Sequence, residues 1–219
     1  MKLNVLQLGS CDYQKAWDIQ HDIMKKRQDG EIGDTLILVE HPPVITLGRN
    51  AVESNVVVSE KYLQDNGIGI YNIERGGDVT YHGPGQIVGY PIVGLRDKAM
   101  GIRVFVEKLE ELFISLLKEN YGIESGINPE FPGVWVGSDK ITAIGLAVKR
   151  GVTMHGFAFN VNTKLEHFGL IVPCGISGKG VTSLQKLTGK EIDFDSANKL
   201  VLDYFCRVFD YDGCEELHI

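Results

Sequence analysis

The stretch from residue 133 to residue 162 does most to limit what this chain can become. Val134 and Val136, then Ile141 to Val148, then Phe157 to Val161 are β-rich runs. Gly137-Ser138-Asp139 and Lys149-Arg150-Gly151 separate them, and both are turn signals. Strands joined by such short turns run antiparallel, because a parallel return needs a crossover of a dozen residues or more. A wholly parallel sheet with regularly alternating helices is therefore excluded.

The rest of the chain supplies helices and further strands. Asp12 is placed to cap a helix running to about Gln28, with Gly30 as its stop. Thr35 to Val39 reads as a buried strand, broken by His41-Pro42-Pro43 and resumed from Val44 to Leu47. A short helix from Ser59 to Asn66 precedes a strand from Ile68 to Ile73. The clearest helix covers Ile102 to Tyr121, where Phe105, Leu109, Leu112, Phe113 and Leu116 keep helical spacing and Gly122 follows. Ala197, Val201, Tyr204, Phe205 and Val208 mark one more. The expected fold is α+β, a mixed and largely antiparallel sheet flanked by helices. At 219 residues the chain reads as one main domain, residues 1–219, with the part after about Lys190 as a candidate appended lobe.

Charge narrows the partners. The net charge is −7, which argues against a general nucleic-acid binder. Residues 140–190 nevertheless carry seven basic groups (Lys140, Lys149, Arg150, Lys164, Lys179, Lys186, Lys190) and the single acid Glu166, a local balance of +6. Such an island either attracts an acidic partner or is a solvated face. No apolar run approaches the roughly 20 residues of a membrane span, and the apolar stretch before Leu8-Gly9-Ser10-Cys11 is too short for a signal peptide. A cytoplasmic location is the expectation. The four cysteines (11, 174, 206, 214) lack CxxC spacing, so neither a zinc site nor a disulfide framework is expected.

Glycine is abundant, 26 of 219 residues, about 12 % against a typical 7 %. Four of these lie within Arg75-Gly76-Gly77-Asp78-Val79-Thr80-Tyr81-His82-Gly83-Pro84-Gly85-Gln86. A hairpin explains two of the glycines; backbone that admits a ligand explains the polar residues as well. The stretch does not meet the dinucleotide or phosphate-loop patterns. A second glycine-rich run, Pro173-Cys174-Gly175-Ile176-Ser177-Gly178-Lys179-Gly180, leaves a thiol open to approach. Cys206 fits helix packing, Cys214 sits in an acidic tail, and Cys11 precedes a helix whose dipole can lower a thiol pKa, but no basic residue lies beside it until Lys15. If one thiol is a nucleophile, Cys174 is that thiol. It then needs a neighbouring Lys or His to become a thiolate. Lys140, His82 and His155 are the candidates, against the plainer readings of a solvated lysine and core histidines.

Taken together these residues resemble the lipoyl(octanoyl) transferases, relatives of the biotin and lipoate protein ligases. The resemblance runs through Arg75-Gly76-Gly77, Thr80 to Gln86, Tyr90, Lys140-Ile141, Ala143-Ile144-Gly145, His155-Gly156-Phe157-Ala158 and Pro173-Cys174-Gly175, over nearly the whole chain. It implies the ligase-like catalytic fold, with Cys174 as acyl-thioester nucleophile and Lys140 lowering its pKa. It also implies acyl-chain contacts from Arg75, Gly76, Gly77, Asp78, Val79, Thr80, Tyr81 and His82, from Ala143, Ile144 and Gly145, and from Gly156, Phe157 and Ala158. The implied donor is octanoyl-acyl carrier protein. The implied acceptors are lipoyl domains of 2-oxoacid dehydrogenase complexes or the glycine cleavage H protein. No metal or cofactor is implied, and the basic island gains an acidic partner. An ATP-dependent lipoate ligase on the same fold, a thiol hydrolase pairing Cys174 with His155, and a non-catalytic acyl-carrier-binding module are the alternatives.

Overall fold

The computed structural model describes residues 1–172 and 180–218. Its main sheet holds β1 (Leu3–Ser10), β2 (Thr35–Glu40), β6 (Gln86–Ile92), β7 (Gly126–Ile127), β8 (Gly133–Val136), β9 (Asp139–Lys149), β10 (Val152–Asn160), β11 (Gly180–Val181) and β12 (Cys214–Glu216). The order is β12-β1-β2-β6-β10-β9-β8-β7, with β11 added beside the start of β9. β1 pairs in parallel with β2 and β12, and β11 with β9; the other pairings are antiparallel. This is the mixed, largely antiparallel sheet the turns require.

Alternation along β10 divides the two faces. Phe157 and Phe159 point to one side, where their rings lie 4.9 and 5.0 Å from that of Phe113 on α3 (Ile102–Tyr121). α5 (Phe194–Val208) packs in the same core through Ala197, Val201 and Phe205, so the segment after Lys190 shares the main apolar interior. Met154 and Ala158 point to the other side and meet Ala16, Ile23 and Met24 of α1 (Tyr13–Gln28). Asp12 caps α1 as its sequence suggests, its carboxylate accepting from the amides of Gln14 and Lys15. α3 ends at Gly122, whose φ of 64° is the left-handed stop that glycine allows.

A second, smaller sheet lies on the α1 side. The chain leaves β2 through His41-Pro42-Pro43 and becomes β3 (Val44–Leu47). β3 pairs in parallel with β4 (Gly69–Asn72), reached through α2 (Glu60–Asp65), and antiparallel with β5 (Val79–His82). A third of the motif read as a ligand loop is thus strand, because Val79 to His82 finds a partner in Val44 to Leu47. α4 (Leu184–Thr188), capped by Ser183, follows β11. Among the described residues no helix is long and apolar enough to cross a membrane.

Candidate active site

Between the two sheets lies a cavity of about 390 Å³. Its floor consists of small residues at facing positions: Gly156 pairs with Gly145 and Ala158 with Ala143 across β10 and β9. Side chains directly opposite in a ladder stand about 5 Å apart, so two glycine–alanine rows leave a shallow apolar trough. Gly156 has no substitute here, and Gly145 has little room for one. A Cβ on Gly156 would collide with the Gly89 carbonyl oxygen, and one on Gly145 would lie 3.0 Å from that of Gly76. The second contact exists because the Gly76 amide donates to the Leu146 carbonyl at 2.9 Å, which ties the glycine loop to β9.

The roof comes from residues 73–82. Arg75 is buried, and its guanidinium donates to the Thr46 carbonyl (2.8 Å) and hydroxyl (3.0 Å), bracing the loop against β3. Asp78 accepts from the Asn55 side chain at 2.6 Å. Gly76, Gly77, Val79, Thr80 and His82 all line the cavity. Tyr81 does not: it alternates with Thr80 and His82 and, farther along the face it shares with Val79, contacts Phe168, its hydroxyl meeting His167 Nδ1 at 2.6 Å. Ile144 and Phe157 border the cavity although their side chains join the core under α3.

Lys140 stands at one end. Its Nζ donates to the Pro132 carbonyl at 3.2 Å and lies 4.8 Å from the centre of the Trp135 ring. Lys140 and Ala143 are three positions apart, an odd spacing that would put them on opposite faces of a regular strand. Both line the cavity because β9 carries a bulge: Val134 pairs with Thr142 and Trp135 with Lys140, leaving Ile141 as an extra residue. Gly180 and Val181 line the same end, and Val181 is the register partner of Lys140. Cys174, the expected nucleophile, lies outside the described residues.

Histidines line one wall. His155 has a φ of 58°, uncommon for a residue with a side chain, and its amide donates to Gln20 of α1 at 3.1 Å. Its Nε2 lies 3.4 Å from the Glu74 carboxylate, whose other oxygen is 3.5 Å from His21. The His155 contact draws the Glu74 pKa down to about 2, while burial keeps that of His155 below its ordinary value. His41 Nδ1 is 2.7 Å from the Cys11 carbonyl, which can only accept, so Nε2 receives the Tyr90 hydroxyl, also at 2.7 Å. Burial pulls His41 down to about 4 and His82 to about 3. It pushes the thiols of Cys11 and Cys206 up, the latter to about 11, so neither is primed as a thiolate.

Several lining residues escaped the motif reading. Asn160 continues the period of Gly156 and Ala158, so alternation alone would have found it; Tyr13, on α1, carries no such signal. The basic island also divides. Lys140 and Lys149 lie at opposite ends of β9, roughly 30 Å apart at about 3.3 Å per residue, so the +6 segment is not one patch.

The family model of the lipoyl protein ligase A/B catalytic domain matches residues 12–206. The octanoyltransferase of Alkaliphilus metalliredigens is 59 % identical over 98 % of this chain and 99 % of its own length. This chain belongs to the octanoyltransferase family. Another family member, from Desulforamulus reducens, is 53 % identical over 97 % of the chain and 93 % of its own length. Solved structures show how far the octanoyltransferase fold reaches. A lipoate-protein ligase A bound with ATP covers the whole chain and 90 % of its own at a TM-score of 0.79 and 17 % identity. The biotin protein ligase of Aquifex aeolicus covers 95 % of this chain and 69 % of its own at 0.52 and 12 %.

Proposed function

We propose that this protein transfers an octanoyl group from acyl carrier protein to a lipoyl-domain lysine through a thioester on Cys174, with residues 1–219 acting as one catalytic domain. The supporting observation is the small-residue trough that begins at Lys140, in a chain 59 % identical to an octanoyltransferase. An acyl chain needs an apolar channel without side chains in the way, and the Gly–Ala rows provide it. In the first half-reaction the Cys174 thiolate attacks the donor carbonyl; the carrier thiolate leaves and takes up the proton. In the second, the acceptor ammonium first gives a proton to solvent; the free amine attacks the thioester carbonyl, the C–S bond breaks as the C–N bond forms, and the second nitrogen proton passes to the departing Cys174 sulfur. One thioester is exchanged for another and then for an amide, so ATP is not required. Lys140 stabilises the thiolate by its charge and serves the proton transfers.

Intact mass after mixing with octanoyl-acyl carrier protein, without ATP, tests this directly. One octanoyl adduct is expected, mapped to Cys174 and lost with hydroxylamine. Cys174→Ser should form none, and Lys140→Ala should shift thiol alkylation to higher pH. Labelling only after octanoate, ATP and magnesium are supplied would favour the ligase reading, which the likeness to an ATP-bound ligase fold keeps in view.

A further inference from the structure

The cavity wall contains a directed chain of hydrogen bonds that the two half-reactions above do not use. It is anchored at the Thr182 carbonyl, which can only accept. Asn160 therefore presents Nδ2 to it, at 3.0 Å, and turns Oδ1 toward Gln86. The Gln86 Nε2 donates to that oxygen at 2.9 Å and to the Tyr81 carbonyl at 3.3 Å, a second anchor with the same direction. Gln86 Oε1 is left as an acceptor, and His82 Nδ1 meets it at 2.8 Å, so the proton is on Nδ1. His82 is thus held as one neutral tautomer, and Nε2, on a residue that lines the cavity, keeps its lone pair without a hydrogen-bond donor among the described residues.

The location is the reacting end. Gln86 and Asn160 face each other across β6 and β10. Thr182, the anchor, also donates its amide to the Lys140 carbonyl at 3.0 Å. The first lysine-end rung and the His82 chain share one residue. An octanoyl chain offers nothing to a lone pair, whereas the attacking amine carries N–H groups that must be oriented.

We propose that His82 Nε2 accepts a hydrogen bond from the primary amine of the acceptor and orients it toward the acyl-enzyme. This rests on the thioester reading above. The environment decides that the role is acceptance rather than proton removal. Tyr13 stacks 6.2 Å away from α1, His41 lies 6.1 Å away, and Arg75 and His155 add unfavourable charge. Together with burial they make the imidazole too weak a base to hold an amine's proton, yet keep it uncharged at every working pH.

The two half-reactions are timed separately by quenched intact mass. Octanoyl-acyl carrier protein loads the enzyme, and an unmodified lipoyl domain then discharges it. His82→Asn retains an amide donor where Nδ1 stood and removes the lone pair; His82→Gln sets a carbonyl oxygen near Nε2. Discharge by His82→Asn should slow at least ten-fold more than loading, and His82→Gln should recover most of that loss. Equal slowing of both steps, no slowing, or failure of His82→Gln to recover discharge would each overturn the inference. Nitrogen NMR of the wild type adds a check that no substitution can confound: the Nδ1–H tautomer is expected, and an Nε2–H tautomer would overturn the inference. A wild type that never loads removes the thioester reading and this inference together; one that loads, with any of the contrary results, removes the inference alone.

Discussion

His41, His82 and His155 are buried with pKa values below the ordinary 6.5, and each is fixed by a different partner. The unfolded chain takes up their protons first as pH falls. Their stabilising contribution is therefore complete above pH 6.5 and lost as pH drops toward the folded values, about 4 for His41 and about 3 for His82. Each group adds a slope of up to about 1.4 kcal/mol per pH unit in that window. Urea unfolding at pH 7, 6 and 5 should show this steep loss, and His41→Gln should flatten the slope by about one histidine's share. At this scale the sequence was most informative where chemistry and backbone demand coincide. Gly145 and Gly156 belong to motifs and also make close backbone approaches, which at Gly156 no other residue allows. It was least informative for Tyr81, which shares a motif with the roof residues but contacts Phe168 instead of lining the cavity.

Among the elements, β9 and β10 define the trough, and its depth is set by the alanines. Ala143→Leu would fill space that about two methylenes of an acyl chain occupy, costing about 1.6 kcal/mol at 0.8 per methylene. Octanoyl transfer should fall by more than ten-fold while hexanoyl transfer is largely retained, as read from loading rates with carrier-bound acyl chains of six and eight carbons. Unchanged selectivity would mean that the chain lies elsewhere. The elements that periodicity revealed, α1, α3 and the β8–β10 meander, announce themselves in local spacing and in short turns, although α1 and α3 are held by packing against distant parts of the chain. The second sheet was not legible as a sheet, because β3 pairs with β4 across α2 and with β5 across the glycine loop. β12 was missed for a similar reason: three exposed residues, Cys214 to Glu216, become a strand only because β1 lies 200 residues earlier beside them. The basic island was legible as composition but not as geometry, since an extended strand carries its charges apart.

Across the whole molecule, Asp34 joins parts that sequence separates. It is fully buried and accepts from Arg27 Nε at 2.8 Å, the Gly94 amide at 2.9 Å and the Tyr211 hydroxyl at 2.8 Å. These come from α1, the end of β6 and the segment before β12. Removing one member of a buried charged network leaves the others without partners, at a typical cost of about 3–5 kcal/mol. Asp34→Ala should lose stability of that order in denaturant unfolding, although Asp34 is far from the cavity; a loss below about 1 kcal/mol would show that the three elements hold together without it.

The bulge at Ile141 makes the lysine end and the small-residue trough parts of a single count. Lys140 reaches the cavity face only because one surplus residue resets the alternation before Ala143. Side chains on this strand can be exchanged and the trough reshaped by degrees, but the number of residues between Lys140 and Gly145 is a whole-number setting. One residue more or fewer would not lengthen or shorten the channel slightly; it would throw the lysine to the opposite side of the sheet. Gradual change in the shape of the trough must therefore come by substitution along β9 and β10, while insertions and deletions are confined to the turns at either end.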